Sequence, residues 1–126
     1  MKKILLATAL LLAPVGAFTT ILSFASAAQA ATSLGDLSPM IAIVTDVQKI
    51  AATGDFAATA TRITDWETAW DDAADKMRPL DKAAWGNIDD ASDAALDAVR
   101  ATKPDAAAVT PALAALLAAL NNPTGK

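Results

Sequence analysis

Apolar residues recur at three- and four-residue spacing in four runs of this chain, and Gly or Pro separates each run from the next. That spacing puts the apolar side chains on one face of a helix, and four such faces must be buried against one another. In the first run, Ser38 is a good N-cap and Pro39 suits N1, where its missing N–H is no loss. Met40, Ile43, Val44, Val47 and Ile50 form its apolar face, and Gly54 is placed to close it in a left-handed conformation. The second run, Asp55 to about Arg78, carries Phe56, Ala60, Ile63, Trp66 or Glu67, Trp70, Ala74 and Met77 at helical spacing, until Pro79 pushes its predecessor out of the α region.

The third run opens on Asp81 as N-cap, with Trp85, Ile88, Ser92, Ala95, Leu96 and Val99 facing inward. Arg100 and Lys103 are expected in its last turn, where cations complement the helix dipole, and Pro104 stops it. The fourth has two readable starts. Asp105 could cap it, but Pro111 would then remove an internal hydrogen bond. Thr110 as N-cap with Pro111 at N1 is the better local fit, giving a helix to about Asn121 with Leu113, Leu116, Leu117 and Leu120 as its stripe. Short connections favour antiparallel neighbours, so the expected fold is an all-α, four-helix, up-down-up-down bundle. A three-helix core with the first or last segment packed across it is the alternative.

The first thirty residues read differently. Lys2 and Lys3 precede an uncharged, Leu- and Ala-rich stretch from Ile4 to Phe24. Ala28-Gln29-Ala30 then matches the small-x-small pattern read by signal peptidase, and Ala25-Ser26-Ala27 matches it three residues earlier. An uncleaved anchor is the rival, since the stretch is about long enough for a bilayer core of ~30 Å. Pro14, Gly16 and the two overlapping cleavage patterns favour removal. The expected organisation is therefore a signal peptide over 1–30, a lead over 31–37, a helical bundle over 38–121 and a tail over 122–126, in a periplasmic or secreted protein with no stable membrane insertion after cleavage.

Composition closes several chemistries. Without Lys2 and Lys3, 8 of the 10 basic residues remain against all 14 acidic ones, a net charge of −6. Such a surface repels phosphates, so nucleic acid is not an expected partner. There is no Cys, His or Tyr, which removes disulfides, thiolate sites and the commonest general bases and nucleophiles. Glu67 is the only glutamate, so a histidine-carboxylate di-iron bundle site is excluded. No cofactor is expected, nor an enzyme.

Two constellations remain. Glu67, Asp71 and Asp75 stand at i, i+4 on the second helix, and Asp89, Asp93 and Asp97 do so on the third. Like charges at this spacing repel by a few tenths of a kcal/mol each. The ladders read as a solvated face, as a surface for a cationic protein partner, or as a carboxylate-only site for Ca²⁺, Mg²⁺ or Mn²⁺. Trp66 and Trp70 share one side of the second helix while Trp85 begins the third. They read as core, because they fall on the stripe of Phe56, Ile63 and Met77, and otherwise as the walls of a small-ligand pocket.

The stretch Asp65-Trp66-Glu67-Thr68-Ala69-Trp70-Asp71, followed by Arg78-Pro79-Leu80-Asp81 and Trp85, resembles a pattern in short exported bacterial proteins with no assigned activity. The resemblance covers Ile63 to Val99. It marks the second and third helices as the signature of the domain and implies no catalytic or ligand residue. The leading expectation is an exported, non-enzymatic binding or interaction module.

Overall fold

Asp55, Asp81 and Asp105 begin three helices in the same way. Each carboxylate accepts the backbone N–H three residues on, from Ala58 at 3.0 Å, Ala84 at 3.0 Å and Ala108 at 2.9 Å, and so satisfies one of the orphan donors of a first turn. The computed structural model, which describes residues 32–125, places α1 at Ser38–Ala52, α2 at Phe56–Met77, α3 at Lys82–Val99 and α4 at Ala106–Asn121. The expected leader, residues 1–30, lies outside the described residues. Among the described residues extended structure is limited to one isolated bridge between Thr32 and Gly35, so the chain is an all-α four-helix bundle.

Three local expectations are corrected. Helix α4 is capped by Asp105 and not by Thr110, with Pro111 inside it. Pro111 is exposed, and so is Ala107, whose carbonyl loses the hydrogen bond, so water can replace it. In return Val109 joins Leu113, Leu116 and Leu120 on one fully buried stripe. Ser38 is the first residue of α1 rather than its cap. Its side chain and its N–H, the latter donating to Asp36 Oδ1 at 2.9 Å, together hold the Asp36 carboxyl below its ordinary value. Finally, α3 ends at Val99, so Arg100 is the C-cap residue and Lys103 lies beyond the last turn. Gly54 does close α1, at φ +80°, with its N–H on the Ala51 carbonyl at 3.0 Å.

The helices pack as a closed ring. α1 lies against α2, α2 against α3, α3 against α4 and α4 against α1, while the backbones of the diagonal pairs stay further apart. Connections of three, four and six residues make every neighbour antiparallel. The central core combines Val44, Val47, Ile63, Trp66, Ile88, Ala95, Val99, Val109 and Leu116. α2 and α3 have the sparsest backbone approach of the four neighbouring pairs, because indoles fill the space between them. The lead adds Leu34 and Leu37 to the core at the end where α1 and α3 begin, and Pro123 of the tail is buried at that same end. There Asn87 Nδ2 donates to the Pro123 carbonyl at 2.8 Å.

The α2–α3 seam and its carboxylates as a candidate interaction face

The seam is built on the tryptophans. Trp66 and Trp70, one turn apart on α2, stack with centroids 5.3 Å apart and planes 18° from parallel. Trp85, from the start of α3, continues the stack on Trp70 at 3.6 Å and 6°. All three are buried, and their relative exposures of 0, 2 and 6 % leave no aromatic wall facing solvent. An indole can be buried this fully only if its N–H finds an acceptor. Trp66 Nε1 donates to Ser92 Oγ at 2.8 Å, and Trp70 Nε1 donates to Asp89 Oδ1 at 2.9 Å. The stack is therefore a core device, with α3 supplying both acceptors.

These bonds divide the acidic ladders. Asp89 is half-buried and turned inward to Trp70. Glu67 is half-buried too, and Arg100 grips it with both guanidinium nitrogens, Nη1 donating to Oε1 at 3.2 Å and Nη2 to Oε2. Arg100 Nη2 also reaches Thr64 Oγ1 at 3.3 Å. The guanidinium beside it lowers the Glu67 carboxyl from its ordinary value, and Glu67 in turn raises Arg100. Arg100 thus bridges α3 to α2, a role that its position near a helix end did not suggest.

Asp71, Asp75, Asp93 and Asp97 are exposed. The ion pairs among the described residues join Arg62 to Asp46 and to Asp65, and Arg100 to Glu67, so these four carboxylates have no cationic partner there. Neither do Asp72 and Lys76 pair, despite their i, i+4 spacing. The six ladder residues do not converge either. No group of three or more carboxylates among the described residues is placed to hold a metal ion together.

Two surface grooves lie away from this seam. One, between the end of α1 and α4, is lined by Gln48, Ala51, Ala52, Thr110, Leu113 and Ala114. The other is bounded by Asn87, Ala118, Ala119 and the tail from Asn122 to Gly125. No helix among the described residues is long and apolar enough to cross a membrane. Comparison with family models, with curated proteins and with solved structures finds no match to this chain.

Proposed function

We propose that the protein is an exported, non-enzymatic binding module of the cell envelope, periplasmic or secreted, that meets a cationic partner surface with the outer faces of α2 and α3. One observation carries this reading. Of six laddered carboxylates, Asp89 is engaged by Trp70 and Glu67 by Arg100, while Asp71, Asp75, Asp93 and Asp97 stay exposed without cationic partners among the described residues. Solubility alone is served by ion-paired charges of both signs, whereas exposed like charges without a cationic partner favour encounter with an oppositely charged surface. Export rests on Lys2, Lys3, the apolar stretch and the two small-x-small patterns. The absence of His and Cys supports a binding role over a catalytic one.

The other two readings draw less support. A divalent-cation site needs several oxygens around one point, and the ladders do not bring three carboxylates together. A tryptophan-walled pocket needs exposed indole faces, and these are stacked and buried.

The test compares two variants that change net charge equally. Asp71→Asn with Asp93→Asn neutralises the acidic face, while Ala107→Lys with Ala115→Lys adds cations to exposed positions of α4. In affinity capture from envelope extract, partners held by the wild-type chain should be lost from the first variant and kept by the second. Equal retention by both would remove the acidic face from the account.

A further inference from the structure

We infer that the α2–α3 turn is a docking tip for an anionic phospholipid surface, with Leu80 entering the headgroup layer and Lys76, Arg78 and Lys82 meeting lipid phosphates around it. The contact is peripheral, and it is separate from the acidic faces of α2 and α3. Leu80 is the one large hydrophobic residue left exposed among the described residues, at 62 %. Its N–H donates to the Met77 carbonyl at 3.0 Å, so a closed turn holds it at the end of the bundle, and Pro79 before it is exposed too. Lys76, Arg78 and Lys82 flank it in sequence, and all three are exposed. None of them takes part in the ion pairs of the described residues, which use Arg62 and Arg100.

Charge and chain path both favour a membrane as the surface that this tip meets. The chain as a whole is acidic, but screening limits the reach of a charge to about 8 Å at physiological salt. Asp93 and Asp97 stand well up α3 from Lys82, roughly 17 and 23 Å along the helix axis. Asp72 and Asp75 precede the three cations on α2 and so stand further from the end of the bundle. Asp81 is taken up by the Ala84 N–H and the Ser33 hydroxyl, which leaves Asp36, exposed before α1, as the main opposing charge at that end. The Ser33 bond to Asp81, 2.8 Å long, also shows that the chain enters the bundle beside Leu80. On the export reading, the apolar stretch ending at Phe24 sits in a membrane before its removal, and residues 25–31 span at most about 25 Å. The turn is then the part of the folded bundle nearest that membrane. An anionic surface attracts each nearby Lys or Arg by about fivefold in binding, and it offers Leu80 an apolar layer that a soluble phosphate lacks.

The experiment uses the full 126-residue chain, which has no cysteine of its own, carrying Leu80→Cys or, at the opposite end of the bundle, Thr53→Cys. Each is labelled with a polarity-sensitive fluorophore and mixed with vesicles of phosphatidylcholine alone or of phosphatidylcholine with phosphatidylglycerol in equal parts. Flotation reads whether the chain is bound, and circular dichroism checks that the helices are intact. In the anionic vesicles the label at position 80 should shift to the blue, while the label at position 53 should not. Adding Arg78→Gln with Lys82→Gln should lower the docked-to-free ratio at position 80 by about twenty-five-fold. Glycerol phosphate without vesicles should move neither label, and a shift with it alone would overturn the lipid surface in favour of a free phosphate. No shift at position 80 in a chain that floats with anionic vesicles would overturn the inference and leave the export reading standing. Equal shifts at both positions, or at position 80 in both kinds of vesicle, would also overturn it. A chain that floats with neither would overturn the inference and the export reading together.

Discussion

The two halves of the bundle are held by different means. Between α1 and α4 the contact is aliphatic: Met40, Val44, Val47 and Ala51 meet Val109, Leu113, Leu116 and Leu120, and α4 has no charged residue at all. Between α2 and α3 a tryptophan stack is pinned by two indole hydrogen bonds and clamped by Arg100 on Glu67. Aliphatic packing is non-directional and tolerates repacking, whereas hydrogen bonds between named donors and acceptors fix one register. The half with the fixed register is also the half that displays the exposed carboxylates. A charged face that must match a partner benefits from a scaffold whose geometry is set by directional bonds.

The largest effect should come from breaking the stack. Trp70→Ala removes the middle indole, a side chain touching Trp66 on one face and Trp85 on the other, and leaves Asp89 without its donor. Denaturant unfolding should show a loss of about 3–5 kcal/mol, the range for truncating a buried aromatic. A loss under about 1 kcal/mol would mean that the seam is not the structural centre of this half.

A smaller effect separates the Arg100 clamp from the stack. The Glu67 carboxyl is lowered in the folded chain by Arg100. A group lowered on folding binds its proton more readily when unfolded, so its contribution is present above the ordinary glutamate value and is lost as pH falls through the folded value. Both partners are more than a third exposed, and screening holds the pair to under about 1 kcal/mol. Stability should therefore decline on acidification below roughly pH 4.5, the ordinary value, and the decline should be shallower in Arg100→Met. Chemical denaturation between pH 3 and pH 6 reads both slopes, and identical slopes would deny Glu67 its part. Asp36 and Asp81 are lowered by their own hydrogen bonds and contribute in the same direction in both chains.

Much of this was legible in the sequence, and what was not has particular reasons. The periodicity of Phe56 to Met77 and the breaks at Gly54, Pro79 and Pro104 specify four helices, because each depends only on local backbone rules. The tryptophans declared themselves core by sharing the stripe of Ile63. The start of α4 was misread because Pro111 was weighed alone. Asp105-Ala106-Ala107-Ala108 repeats the Asp-x-Ala-Ala pattern of Asp55 and Asp81, and that recurrence was the better signal. Leu34 and Leu37 gave no periodic run long enough to mark as core. The split of the ladders was hidden for another reason. Which carboxylate meets Trp70 or Arg100 depends on the register between two helices, and spacing within one helix carries no information about it.

The most direct test of the central claim, that the exposed carboxylates are there for a partner and not for the fold, is a thermal melt of Asp71→Asn with Asp93→Asn at low and high salt. Each removed charge relieves like-charge neighbours on its own helix, worth a few tenths of a kcal/mol. The melting temperature should rise by about 1–4 °C at low ionic strength and the gain should shrink as salt screens the repulsion. A fall in melting temperature at low salt would contradict the claim, because it would make these carboxylates part of what holds the bundle together.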